Sequence, residues 1–472
     1  MTTPTYIDAT MLLPWKHLAP VGVVRLERLL CATVRFSPRL QPVHYVVWDR
    51  GYRLTTPAET ADLDALLASQ SLSLAADPAA GRQSADRPAR NKLPIIAKVK
   101  SSGRTATQNM VDRMPISLRG HAHNAVYAPA TFVVEATRLI KRRIALRRGS
   151  HFASQAKTSA NARITHQVDF SGGGDIICLG LGWEYLDHEA MYVLKHQFGV
   201  RIHMPAFDLI CIDTPQFNAG QRHPVHSYYA EMSHYADTIT CISGSTEAAI
   251  RAFYRREELP LPFVTTNPLP GIPPDPALVP AAIRPPFNDE PFVLSVSTIE
   301  IRKNHLLLAK LWAELIREGH DMPHMVLVGR IGWDVVELKR WIAHAPELRD
   351  RFHLLIDVED DELLSFYDRC LFTLFPSRAE GWGLPITESL MRGKVCVHST
   401  DAAQIEAAQG IMPAFHPDDF LGWKAEIIRL LKNPDQVAAL EQRIAVEYHP
   451  RTPEEYGAAF EALIASRKET VG

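Results

Sequence analysis

The stretch Glu380-Gly381-Trp382-Gly383-Leu384-Pro385-Ile386-Thr387-Glu388 decides how the rest of the chain is read. Before it, Cys370-Leu-Phe-Thr-Leu-Phe375 is a short apolar run of the kind that forms a buried strand. Pro376 and Ser377 end that run, which puts Glu380 in the loop beyond the strand's carboxyl end. Pro385 fits the first turn of a helix, where its missing N–H removes no hydrogen bond. Glu388 then falls about one turn into the helix. Gly381 and Gly383 let backbone come close to a ligand, and free N–H groups at a helix start receive phosphate. Two carboxylates thus flank an anion site, which neither a plain turn nor a capping box requires. The competing account is a strand–turn–helix with two incidental surface acids.

Outward from this stretch the chain alternates strand and helix. Phe292-Val-Leu-Ser-Val-Ser297 reads as a strand that runs into Arg302-Lys303-Asn304 and then a helix through Leu315. Cations at a helix start oppose its dipole, so a ligand is a better reason for them than solvation. Met325–Gly329, His353–Ile356 and Lys394–Ser399 are further strands, and the acids after Val358 are read as capping residues. Upstream, Tyr6–Thr10, Val43–Trp48, Asp175–Leu181, Arg201–Ile210, Thr238–Ser243 and Leu261–Asn267 read as strands. Helices are expected from Val23, from Pro57 to about Ser69, from Glu184 to Phe198 and from near Ser245. Buried strands separated by helices indicate parallel sheets.

The 268–291 segment holds nine prolines and reads as a semi-rigid linker between two α/β halves. The expected organisation is therefore 1–267, with a mobile or inserted region at about 71–150, then the 268–291 linker. A second half at 292–446 follows, and a C-terminal helix at 447–472 crosses back to the first. Within the insertion, Thr131–Arg148 reads as an amphipathic helix with six Lys/Arg from Arg138 to Arg148. It suits an anionic lipid surface, although a solvated helix packed on its own domain is the favoured account.

Composition narrows the function classes. A chain of 472 residues with 46% hydrophobic and 22% charged residues is expected to form two or three globular domains. A formal charge of -2 supplies no global field for nucleic acid. The six cysteines stand singly, mostly in apolar runs, as buried reduced thiols do. No signal peptide and no spanning segment is expected, so the protein is expected in the cytoplasm, with peripheral contact at the inner membrane face as an option. Asp62 and Asp64 lie on a helix and point in different directions, and His121 and His123 lack nearby partners, so no metal site is expected.

Glu-Gly-Trp-Gly-Leu-Pro-x-x-Glu followed by Ser-Leu-Met-Arg-Gly-Lys-Val-Cys-Val resembles the Glu-x7-Glu signature of retaining, nucleotide-sugar-dependent glycosyltransferases of family 4, and in its wording bacterial mannosyltransferases. The resemblance implies the GT-B fold, two Rossmann-like parallel-sheet domains facing a cleft. The first half takes the acceptor and the second the donor. It also implies roles: Glu380 on the donor hexose, Glu388 on the ribose, and Gly381, Trp382, Gly383 and Leu384 around the diphosphate. Lys303 neutralises the diphosphate with Arg302 beside it, since Ser297 and Thr298 stand where many members carry an arginine. Val358 lies by the nucleobase, and Gly22 at the first helix entrance faces the donor phosphates, although an ordinary loop glycine also fits there. Phe207-Asp208 with Pro215 resembles the acceptor-side His/Tyr-Asp-x-x-Pro segment, with Phe in place of His; Asp208 is an acceptor-side candidate or a structural strand-end aspartate.

The resemblance implies a metal-independent transfer, with no cofactor, of a hexose from a nucleotide sugar to a hydroxyl of a glycan or lipid-linked glycan. Mannose from GDP-mannose is the best match, in bacterial surface polysaccharide assembly. The rival expectations are a nucleotide-sugar epimerase of the same fold and a non-catalytic sugar-nucleotide-binding subunit.

Overall fold

A computed structural model of the chain describes residues 3–15, 23–48, 51–75, 168–180, 182–217, 222–271, 282, 283, 287, 290–356 and 358–469. Contacts divide the chain into two compact units, one made of Met1–Gln70 and Gln155–Gly472, the other of Ser71–Ser154. Both sheets lie in the first unit. The first sheet holds β1 (Thr5–Asp8), β2 (Val43–Trp48), β3 (Tyr52–Leu54), β4 (Gly174–Cys178), β5 (Val200–Ala206), β6 (Thr238–Cys241) and β7 (Phe263–Thr266). Their order is β3-β2-β1-β4-β5-β6-β7, and every pair is parallel except β2 with β3. Too few residues separate those two strands for a crossover helix, so they pair as a hairpin.

The helices of this half that bear on the site are α1 (Val23–Phe36), α2 (Pro57–Ala75), α3 (His188–Phe198) and α4 (Gly244–Arg256). α3 starts four residues later than the sequence reading placed it. Gly182–Glu184 forms a 3-10 turn, and Asp187 takes the N-cap by accepting from the Ala190 N–H. Ser243 caps α4 by accepting from the Thr246 N–H at 2.9 Å. A short polar side chain satisfies an orphan donor in each case.

The second sheet holds β8 (Phe292–Val296), β9 (His324–Val328), β10 (Phe352–Leu355), β11 (Thr373–Phe375), β12 (Cys396–Ser399) and β13 (Ala414–Phe415), in the order β10-β9-β8-β11-β12-β13 and wholly parallel. Helices α5 (His305–Arg317), α6 (Asp360–Arg369), α7 (Leu384–Met391) and α8 (Ala402–Ala407) connect it. Glu359, at the N-cap of α6, makes no side-chain cap bond, so the expectation of capping acids there holds only for the local bond from the Glu362 N–H to Asp361. The two halves are two α/β domains, each built on a sheet of mainly parallel strands, as the alternation of strand and helix in the sequence implied.

The last helix, α9 (Pro453–Glu469), returns to the first half. Its Tyr456, Phe460 and Ile464 are buried in one cluster with Ile7, Leu30 and Val34. Burial of a Phe or Ile side chain contributes about 1.5–3 kcal/mol each. The same cluster takes in Trp382 and Ala407 of the second half. The Arg451 guanidinium donates to Asn267 Oδ1 at 2.6 Å, and Asn267 in turn donates to the Tyr456 carbonyl.

Candidate active site

Each sheet reverses its direction of growth between its first strand and its fourth. In the second sheet that switch point separates β8 from β11, and a crevice at the carboxyl ends of such strands is where open α/β sheets take ligands. The chain leaves β8 through Ser297, passing so close to β9 that a Cβ on Gly329 would overlap the Ser297 carbonyl. Gly329 adopts φ +155, a backbone conformation open to glycine. A 3-10 turn at Ile301–Lys303 and a left-handed Asn304, φ 58, then lead into α5. The Arg378 N–H donates to the Arg302 carbonyl at 2.9 Å, which fastens the loop after β11 to the loop after β8.

This fastening brings together the three residues to which the resemblance assigns the diphosphate and the hexose. The Lys303 ammonium pairs with Glu380 Oε1, and the Arg302 guanidinium donates to Glu380 Oε2 at 2.9 Å and to the Ala379 carbonyl at 2.6 Å. Arg302 also pairs with Glu300 at 2.8 Å. Side-chain exposure of Lys303 is 11% and of Glu380 9%, so the charges lie largely out of water. Burial pushes the Glu380 carboxyl up, but Lys303 and Arg302 outweigh it and hold the group at about 2. Burial also disfavours the Arg302 charge, yet Glu380 and Glu300 raise its pKa. Burial draws the Lys303 ammonium below its usual range against the pull of Glu380, so its charge depends on that partner.

The glycine loop meets the first half directly. A Cβ on Gly381 would overlap the Phe207 carbonyl and lie 3.1 Å from the Asp208 Cβ, so glycine is required by the closeness of the two halves. Trp382 is buried, and its Nε1 donates to Thr387 Oγ1 at 3.1 Å. Gly383, φ +126, precedes α7, and the Ile386 and Thr387 N–H groups both donate to its carbonyl. The Gly383 and Leu384 amides come before the first intrahelical bonds, where helix N–H groups have no partner within the helix. Pro385 sits in that first turn, as its ring allows.

Asp208 faces the same charges from across the halves. Its Oδ1 accepts from the Ile210 N–H at 3.0 Å, and the Tyr229 hydroxyl donates to its carbonyl at 3.1 Å. Burial raises its carboxyl pKa; Arg302 and Lys303 lower it and Glu380 raises it further. Glu388, on α7, accepts from the Tyr367 hydroxyl at 2.7 Å, and Val358 packs partly buried beside Val326, Val328 and Phe366. Gly22, the Thr131–Arg148 helix, His121 and His123 lie outside the described residues, as does the Arg25 side chain. Asp64 is engaged structurally by Arg35 and the Tyr45 hydroxyl. No group of three or more potential metal ligands occurs among the described residues.

Sequence reading missed the residues behind this loop. Asp401 caps α8 through the Gln404 N–H and accepts from the Glu380 backbone; burial first, then the Glu380 charge, raise its carboxyl to about 6. Ser399 Oγ and the Gln404 amide both donate to the Ser377 carbonyl, at 2.5 and 2.8 Å. The first turn after β12 therefore braces the turn after β11. A polar residue at an ordinary N-cap carries no mark of that second task.

Residues 282–445 match the family model described as glycosyl transferases group 1. The chain is 28% identical over 176 residues to the serotype-specific mannosyltransferase WbdA of Escherichia coli, a match that spans 34% of this chain and 21% of that protein. Among solved structures, Anabaena Alr3699/HepE in complex with UDP-glucose is similar at 15% identity with a TM-score of 0.47, covering 62% of this chain and 78% of that one. A sucrose-phosphate synthase from Thermosynechococcus elongatus is similar at 19% identity with a TM-score of 0.45, covering 63% and 72%. Lys303 and Glu380, paired across the switch point of their sheet, both lie within the segment 282–445 that matches the glycosyl transferases group 1 model.

Proposed function

We propose that this chain is a retaining, metal-independent glycosyltransferase that moves mannose from GDP-mannose to a hydroxyl of a glycan or lipid-linked glycan, in bacterial surface polysaccharide assembly. The observation that carries the proposal is the buried cluster of Lys303, Arg302 and Glu380 beside the start of α7. Two cations and a helix start neutralise a diphosphate, and one carboxylate is left for a sugar. The similarity to an Escherichia coli mannosyltransferase supports mannose as the hexose.

Glu380 holds both cations. A donor diphosphate competes for them and frees Glu380 to accept from the hexose and to stabilise positive charge at its anomeric carbon. The bond from that carbon to the diphosphate oxygen breaks, and a bond to the acceptor oxygen forms on the same face. The acceptor proton passes to the leaving phosphate. Lys303 and Arg302 act by electrostatic stabilisation of the departing diphosphate, the kind of effect that dominates many enzymes. Asp208, across the cleft, orients the acceptor hydroxyl. The reaction takes place on the cytoplasmic side, and Thr131–Arg148 supplies peripheral contact with an anionic membrane.

The test is a panel of nucleotide sugars scored first by thermal stabilisation, then by transfer in the presence of excess EDTA. GDP-mannose at 100 times its dissociation constant adds about 2.7 kcal/mol, and transfer persists in EDTA with the anomeric configuration kept. No stabilisation by any nucleoside-diphosphate hexose overturns the proposal. Loss of transfer in EDTA, restored by Mg²⁺, overturns the metal independence alone.

A further inference from the structure

The first sheet has its own switch point, between β1 and β4, and an unusual group of side chains lies at its carboxyl edge. Asp8, the last residue of β1, is fully buried. It accepts from the Thr10 N–H at 3.0 Å, from the Tyr52 hydroxyl at 2.8 Å and from the Tyr185 hydroxyl at 3.3 Å. Glu27, on α1, is 3% exposed, and its Oε1 has no hydrogen-bond partner among the described residues. That oxygen lies beside Gly180, just beyond β4, where an added Cβ would fall 2.9 Å from it. Burial and the nearby Asp8 raise the Glu27 carboxyl to about 8, with Arg28 opposing, so near neutral pH it is the protonated acid. Trp183, half-buried next to Gly180, stands edge-on to Phe207 with ring centroids 6.4 Å apart. Phe207 is the residue whose carbonyl presses on Gly381 of the donor loop.

A buried polar atom without a partner is rare in folded proteins, because its desolvation is not offset. At a switch point it marks a place where a ligand supplies the missing bond. A protonated carboxyl both donates and accepts, which matches a hydroxyl. The second acid behind it makes the place hostile to an anion, since Asp8 spends its lone pairs on the protein's own donors and adds negative potential when ionised.

Resting on the transferase reading above, we propose that Glu27 is a specificity-determining residue of the acceptor side. It hydrogen-bonds a hydroxyl of a neutral saccharide at the β1–β4 switch point and selects against a terminus that carries a carboxylate or phosphate. Trp183 offers the apolar ring face against which a sugar packs, and Met11, half-buried and packed close to Gly180 as well, is the flexible side chain that yields.

The experiment titrates the full chain by ligand-observed NMR with methyl α-mannoside, methyl α-glucoside and methyl α-galactoside, and with methyl α-glucuronide as the size-matched anion. At least one neutral glycoside binds, and the glucuronide binds about tenfold more weakly or not at all. Glu27→Ala weakens the neutral glycoside about tenfold, whereas Glu27→Gln, which still donates and accepts, stays within about threefold. Gly180→Ala keeps every polar group, presses a methyl group onto Oε1 at 2.9 Å and weakens binding as Glu27→Ala does, so the proposal remains testable if the Ala variant at Glu27 does not fold. Equal binding of the glucuronide, absence of any neutral glycoside binding, or Gly180→Ala binding as wild type overturns the inference. GDP-mannose stabilisation is measured in parallel. If it is absent while the glycoside pattern holds, the transferase reading falls and the saccharide site stands.

Discussion

Replacing Lys303 by Ala separates the two tasks that the cluster performs. Lys303 pairs with Glu380 Oε1, while Arg302 holds the other carboxylate oxygen at 2.9 Å and is untouched by the substitution. Glu380 therefore loses one charged hydrogen bond and is not left bare. A bond of that kind contributes about 1.5–3 kcal/mol. For a half of this size each kcal/mol moves Tm by about 2–4 °C, so the variant melts roughly 3–12 °C lower and stays folded. Catalysis suffers more. Removing one preorganised donor to a developing charge lowers kcat by about 100- to 1000-fold, and here no other ammonium occupies the switch point among the described residues. The assay is nucleoside diphosphate release from GDP-mannose with a saturating acceptor, next to a thermal melt of the same preparation. A kcat/KM within threefold of wild type refutes the reasoning, because Lys303 then meets no leaving group. Collapse of the fold refutes it differently, showing the ion pair to be a requirement of the core.

Three further outcomes follow from the same geometry. The Glu380 carboxyl is held at about 2, below its ordinary value, so its contribution to stability is present above about pH 4.5 and is lost as the pH falls through 2; Glu380→Gln removes that acid sensitivity, on the order of 3 kcal/mol, and urea titrations at pH 5 and pH 2.5 that show identical losses in both proteins contradict it. Gly381→Ala puts a methyl group into the Phe207 carbonyl, so transfer falls at least about tenfold and small-angle scattering shows a wider particle while circular dichroism is unchanged; wild-type turnover disproves the close approach. Thr131–Arg148 carries six basic residues at about 1 kcal/mol each near an anionic surface, so flotation with anionic liposomes is expected to weaken with salt and to vanish when Arg138, Lys141, Arg142 and Arg143 become Gln. Indifference to such liposomes at low salt removes the membrane contact.

The local chemistry of the site was legible in the sequence because each part is written in adjacent residues. An apolar run, two glycines, a proline and a glutamate at set spacings make a strand, a turn and the start of a helix wherever they occur. That pattern placed Glu380 beyond β11 and Glu388 within α7, as found. The buried cysteines and the parallel strands were legible for the same reason, since burial of a short run depends on its own composition.

Tertiary structure decided everything that joins distant segments. Lys303 and Glu380 stand 77 residues apart, and their contact exists because β8 and β11 became neighbours in the sheet; strand order is a property of how whole halves pack, not of any window of sequence. The bond from Asp401 to the Glu380 backbone, the pressure of Phe207 on Gly381 and the meeting of Glu27 with Asp8 are of that kind. Glu27 shows the difference most plainly. On a helix that reads as amphipathic it looks like one more solvated acid, and it is burial between α1 and the ends of β1 and β4 that keeps its proton on and leaves its Oε1 waiting for a partner.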